Sequence, residues 1–117
     1  MDINDRVVAW LNTMSPPHIY ISRARKDASW AIHSGPGTSP IVAFQASTEP
    51  LHELDLILDM FQDVIMSDTK ERWPDPDHDT SPDIQAQDDG SITKVGYSYA
   101  PVEREPREWV AWLDPSQ

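Results

Sequence analysis

Three aspartates at alternate positions, Asp75, Asp77 and Asp79, stand in the stretch WPDPDHDTSP. Carboxylates in a D-x-D-x-D run are how calcium loops present hard oxygen ligands. Such a loop also wants glycine at its sixth position, for the sharp turn, and a bidentate glutamate at its twelfth. Counted from Asp75, those places hold Thr80 and Ala86. Calcium at Asp75, Asp77 and Asp79 is therefore the lesser reading and a solvated acidic loop the preferred one. No metal and no cofactor is expected. His18, His33, His52 and His78 show no i, i+4 spacing of the kind that sets two imidazoles on one helix face. His78 lies between Asp77 and Asp79, but sequence adjacency is not a catalytic dyad. No G-x-S-x-G, P-loop or dinucleotide-binding pattern occurs. The chain has no cysteine, which removes thiolate chemistry, zinc–cysteine sites and disulfides. With 20 acidic residues, carboxylate pairs arise by chance and discriminate nothing. No catalytic residue is named, and the chain reads as a non-enzyme.

A second group bears on recognition rather than catalysis. Asp55, Asp59 and Asp63 stand four apart and draw an acidic line along one flank of a helix, with Leu56 and Met60 beside them. Interaction surfaces combine such charges with apolar or aromatic anchors. Trp73, in the acidic loop that follows, is the candidate anchor. The candidate binding residues are therefore Asp55, Leu56, Asp59, Met60, Asp63, Trp73, Asp75, Asp77 and Asp79. For Trp73, as for Trp109 and Trp112, core packing is the competing assignment.

The element that must carry the acidic line is a helix over Thr48–Met66. Leu51, Leu54, Leu58, Phe61 and Ile65 follow a three-four repeat, and Ile57 and Val64 widen the stripe. Thr48 suits the N-cap, and Glu49 and Pro50 suit the first turn. A first helix spans residues 2–14, capped by Asp2, with Ile3, Val7, Trp10, Leu11 and Met14 on one face, and Ser15-Pro16-Pro17 stops it. Three short strands are expected at His18–Ala24, Ser29–Ser34 and Ile41–Ala46. Arg25 to Ala28 form the first turn between them, and Gly35 to Pro40 form a loop. Residues 67–82 read as a long irregular loop, part of an acidic, flexible stretch over 67–89. Asp83–Gln87 and Ser91–Tyr99 read as a hairpin turning at Asp88-Asp89-Gly90, with a bulge at Gly96. Pro101–Pro106 is a polar linker. Trp109, Val110, Trp112 and Leu113 form a short terminal element, strand or helical turn, which periodicity does not decide at this length. The plan is α+β: N-terminal helix, three-stranded antiparallel meander, long amphipathic helix packed on the sheet, acidic loop, C-terminal hairpin and short terminal element. Residues 1–117 are expected to form one acidic domain.

Two stretches share an order of strand-like, polar, tryptophan-centred and turn segments. One runs from Ile19 through Trp30-Ala31-Ile32-His33 to Pro36, the other from Ile92 through Trp109-Val110-Ala111-Trp112 to Pro115. Phe44, Thr48, Pro50 and the helix follow the first. This arrangement resembles the actinobacterial SPDY domain family of unknown function, over residues 19–66. Ser81-Pro82-Asp83, Asp89-Gly90 and Gly96-Tyr97 echo the start of a second unit. The chain departs from the family pattern where Glu49 separates Thr48 from Pro50 and where Val42 stands two residues before Phe44. The resemblance implies a fold and carries no catalytic residue.

Charge narrows the partner. The net charge is −11. Residues 1–46 hold three acids (Asp2, Asp5, Asp27) against four bases (Arg6, Arg23, Arg25, Lys26), so the excess of acid lies wholly in the remainder. Phosphate neutralisation needs a basic surface, which argues against direct nucleic-acid binding and against an anionic membrane. The N-terminus has no basic region leading into an apolar run, and no stretch is long enough to span a bilayer, so a cytoplasmic protein is expected. The expected function is an acidic protein-binding module whose partner is a basic or partly basic protein. The alternatives are an immunity-type inhibitor or nucleic-acid mimic that blocks a basic site on a nuclease or nucleic-acid-binding protein, and a small acidic chaperone-like homodimer.

Overall fold

The structure is a computed structural model that describes residues 3–23, 29–35, 40–45, 49–100 and 107–115. Its order is α1 (Ile3–Met14), β1 (Ile19–Arg23), β2 (Trp30–Ser34), β3 (Val42–Phe44), α2 (Pro50–Thr69), β4 (Thr80–Ala86), β5 (Ile92–Tyr99) and β6 (Trp109–Leu113). The architecture is α+β, with two helices and two antiparallel three-stranded sheets, β1-β2-β3 and β4-β5-β6. Each helix is thus followed by a three-stranded meander. The sequence likeness between residues 19–36 and 92–115 is out of phase with this repetition: it sets β1 and β2 against β5 and β6, whereas the order of elements sets them against β4 and β5.

One hydrophobic cluster joins both sheets. It takes Val7, Val8 and Leu11 from α1, Ile19, Ile21, Trp30 and Ile32 from the first sheet, and Val95 and Tyr97 from the second. Between them lies α2, which contributes Leu54, Ile57, Leu58, Phe61, Val64 and Ile65. The apolar stripe read from the sequence is this face, with one exception. Leu51 is 48% exposed.

Two boundaries shift by three residues from the expected ones, and one open choice is decided. The second helix runs on to Thr69, where the Thr69 hydroxyl donates to the Ile65 carbonyl at 2.8 Å. Lys70 then closes it in the left-handed region (φ 61°), its N–H bonding to Met66. The irregular loop is correspondingly short, and Thr80, Ser81 and Pro82 belong to β4 rather than to it. Proline is tolerated there because β4 is an edge strand, where a missing amide donor need not break the ladder. The terminal element is a strand, β6, paired with β5.

Gly96 is not a bulge. It pairs in regular register with Asp83 on one side and Trp112 on the other. The register irregularities fall between Gln85 and Ala86 and between Tyr97 and Ser98, which leaves Thr93 and Val110 as the extra residues. Gly96 has a different reason to be glycine. A Cβ built there would lie 2.1 Å from the Ala111 carbonyl oxygen and 2.7 Å from the Trp112 Cα.

The proposed caps Asp2 and Thr48, the turn at residues 25–28, most of the loop at 36–39 and the linker at 101–106 lie outside the described residues.

Candidate functional site

The acidic flank of α2 is where charge and apolar surface meet. A groove of about 480 Å³ opens between β3 and α2. Ile41 and Val42 line one wall; Met60, Asp63, Val64, Ser67 and Asp68 line the other. The helix residues follow the three-four repeat, so successive turns of one flank form the wall. Two of the expected binding residues, Met60 and Asp63, are brought together in it. Asp55 and Asp59 continue the acidic line as exposed neighbours, and Leu56 is half-buried outside the groove.

The position of this wall is fixed at its C-terminal end. His18 Nε2 lies 2.7 Å from Asp68 Oδ2, and the Ser34 hydroxyl donates to Asp68 Oδ1 at 3.2 Å. These bonds tie α2 to both β2 and the segment entering β1. The hydrogen bond from His18, helped by that from Ser34 and by the charges of His18 and Lys70, holds the Asp68 carboxyl below the ordinary carboxylate range. A serine, a histidine and an aspartate meet here, but not as a hydrolytic triad. In a triad histidine stands between the other two; here the aspartate does, so the hydroxyl meets a carboxylate and not an imidazole.

Asp59 behaves in the opposite sense. Burial of its carboxyl, then the charges of Asp63 and Asp55, push its pKa above the usual value. The folded state therefore disfavours the ionised carboxylate at neutral pH, through desolvation first and repulsion second, and this cost is relieved as pH falls through the raised pKa. Like charges four apart on a helix cost about 0.2–0.5 kcal/mol per pair. Asp59→Asn is expected to stabilise the protein by a few tenths of a kcal/mol at neutral pH, with the gain shrinking on acidification. Urea denaturation of both proteins across the acidic range checks it.

Trp73, Asp75 and Asp79 are employed in holding the fold. Trp73 is half-buried, and its ring meets Phe61 at 5.9 Å and Tyr97 at 5.1 Å, both edge to face. Gln62, buried on α2, donates from Nε2 to the Trp73 carbonyl at 2.8 Å and to Thr80 Oγ1 at 2.9 Å. Trp73 is thus a lid on the core, pinned from below. Asp75 accepts from the Asp77 amide at 2.9 Å and from the Tyr99 hydroxyl at 2.8 Å, with His78 Nδ1 at 3.2 Å. Those bonds, the Asp77 amide first, lower its pKa. His78 pairs with Asp75 and not with its chain neighbours. Asp79 pairs with Arg72 at 2.8 Å. The Asp75 and Asp79 carboxylates are drawn to different partners, and no group of three or more His, Asp or Glu able to hold a metal is found among the described residues.

Sequence reasoning missed the buried polar groups that lie under the flank. Trp30 Nε1 donates to Glu53 Oε1 at 2.7 Å, with both residues buried. Glu53 heads the row Glu53, Ile57, Phe61, Ile65, and Gln62 continues the row Leu54, Leu58. A polar residue in phase with an apolar stripe was the available signal.

The Tyr97 hydroxyl donates to the Leu58 carbonyl at 2.7 Å. Burial first, then the charges of Asp59 and Asp63, raises its pKa well above the ordinary phenol value. The folded state keeps this proton more tightly than the unfolded chain does. The resulting stability is complete below about pH 10 and is lost as pH rises from there towards the folded pKa. Tyr99, raised by its bond to Asp75, acts in the same sense. Tyr97→Phe is expected to cost about 1 kcal/mol at neutral pH and to flatten the alkaline decline. Denaturant melts on both sides of pH 10 would show it, and an unchanged slope in the variant would refute it.

On the outer face of the second sheet, Lys94 Nζ lies 4.5 Å from the Trp112 ring centre and 5.1 Å from that of Trp109. Trp112 remains 47% exposed. Beside them the buried Asp83 accepts from Ser98 at 2.9 Å and pairs with Arg107.

No helix among the described residues is long and apolar enough to cross a membrane. No protein-family model matches the chain, and comparison with curated proteins and with solved structures finds no match.

Proposed function

We propose that the protein is a non-enzymatic binding module that receives a basic segment of a protein partner along the acidic flank of α2. The observation that carries this reading is the double role of Asp63, which belongs to the acidic line and, with Met60, to the wall of the groove. Charge and apolar contact converge there, as binding hot spots require. The raised pKa of Asp59 supports the same reading, since an approaching cation would relieve the repulsion among Asp55, Asp59 and Asp63. A cytoplasmic setting belongs to the proposal and rests on the sequence alone.

The test uses an acetylated, amidated hexapeptide of alternating lysine and valine, titrated calorimetrically into the protein. Affinity is expected to fall about tenfold between low salt and about 0.3 M salt, as exposed charges are screened. Asp59→Asn together with Asp63→Asn should weaken binding at low salt and reduce the salt dependence. Equal affinity at both salt concentrations would overturn the reading. The inhibitor or nucleic-acid-mimic alternative uses the same charges without the groove, so it predicts that Met60→Glu leaves binding of the basic partner unchanged or tighter. The module predicts that Met60→Glu weakens it.

A further inference from the structure

The groove has a second boundary besides α2, which is the edge of a sheet. In the order β1-β2-β3, β3 is a terminal strand, and no strand among the described residues pairs with its far side. An edge strand presents backbone donors and acceptors to whatever extended chain comes beside it. Ile41, which leads into β3, is 54% exposed, and Ala43 is exposed as well. The register places Val42 and Phe44 on the face that also holds Ile32 and Trp30, towards the core, and Ala43 with Ala31 on the outer face.

We infer that the occupant of the groove is an extended segment of alternating basic and apolar residues, which adds to the first sheet as a fourth strand on the free edge of β3. The inference rests on the binding-module reading above and names the form of its partner. A chain laid beside β3 would sit about 4.8 Å from it. Alternate side chains would then face inward, over Met60, Asp63 and Val64, while the others face outward past the small side chain of Ala43. Inward side chains recur about every 6.7 Å along a strand, close to the 5.4 Å of one helical turn. Successive inward residues can therefore meet successive turns of α2. Val42, Met60 and Val64 offer apolar contact; Asp63 on the same wall and Asp59 beyond it offer charge of the sign that a lysine or arginine complements. Strand addition of this kind takes affinity from main-chain bonds and specificity from pockets for alternate side chains. The bonds from His18 and Ser34 to Asp68 hold the helix at a set distance from the sheet, so the slot is formed before the segment arrives. With only three residues, β3 can supply few ladder bonds, which makes the side-chain contacts indispensable and the complex reversible.

The test is residue-resolved amide hydrogen exchange on the full chain with the lysine–valine hexapeptide at saturation. Exchange is expected to slow about tenfold at the Ala43 amide, which faces away from β2, whereas the Ile41 amide is already bonded to the Ile32 carbonyl. Peptides N-methylated at alternate residues should separate by phase, one set losing at least tenfold in affinity and the other little. If the peptide binds in a salt-sensitive way and Asp63→Asn weakens it, yet the Ala43 amide is not slowed and both methylated sets bind alike, strand addition is overturned and the binding module stands. If the peptide does not bind at all, both are overturned.

Discussion

Gly96→Ala is expected to cost about 3 kcal/mol or more, at or beyond the usual upper range for an overpacking substitution. The added Cβ would fall 2.1 Å from one backbone atom of β6 and 2.7 Å from another, and backbone in a paired strand cannot step aside as a side-chain tip can. The strands β5 and β6 would have to separate. That loosens Trp112 and Leu113 and disturbs Tyr97, which forms part of the core shared with α2. Gly90→Ala is the control. Gly90 has a φ of 89° but open space around it, so it should lose only the roughly 1–2 kcal/mol of a left-handed residue. Urea denaturation ranks the two variants. Equal losses would mean that the close approach at Gly96 does not govern the pairing.

The second large effect is expected at Glu53. Its carboxylate accepts from the Trp30 indole inside the core, while the guanidinium of Arg23 covers the Trp30 ring at 4.2 Å and pairs with Asp5 on α1. Trp30 is thus held from α2 on one side and capped on the other by Arg23 at the end of β1, which Asp5 of α1 tethers. Glu53→Ala removes the acceptor and leaves a buried N–H unsatisfied, at a cost of about 2–3 kcal/mol. Glu53→Gln keeps an acceptor oxygen of the same reach and should cost less than about 1 kcal/mol. Stability in urea, followed by tryptophan fluorescence, separates them. If both variants lost the same amount, the ionised carboxylate rather than the hydrogen bond would be the source of the stability.

These two residues also show where sequence reading stops. The three-four repeat of α2 was legible because a helix that covers two sheets needs one continuous apolar face, and Leu54, Leu58, Phe61 and Ile65 supply it. Period puts Glu53 and Gln62 in phase with that face but does not say that they are buried there, since polarity suggests solvent and only the tryptophan indole and the Trp73 carbonyl explain their burial. The same limit applied to Gly96. A glycine within a strand signals either a bulge or a close approach, and only the position of β6 decides between them. Residues 107–113 were undecided because five apolar residues fit a strand or a helical turn equally well. Pairing with β5 from Val95 to Ser98 makes Trp109–Leu113 a strand.

For the candidate site, the acidic line and Met60 were legible from helical phase. The opposite wall, Ile41 and Val42, was not, because nothing in the spacing of a three-residue strand says which part of a distant helix it faces. Trp73 and Asp75 were singled out for their chemistry. In the fold they are absorbed by Phe61, Tyr97, Gln62 and Tyr99, which have no local signature linking them to the loop.

The claim that matters most is that this protein recognises a basic segment at the groove between β3 and α2, and not merely through its overall acidity. Methyl-resolved NMR during titration with the lysine–valine hexapeptide tests it most directly. Saturable shifts are expected at the methyl groups of Ile41, Val42, Met60 and Val64, and Asp63→Asn should weaken them together. Shifts confined to the acidic loop at residues 71–79, or spread evenly over the surface with no response to Asp63→Asn, would contradict the account.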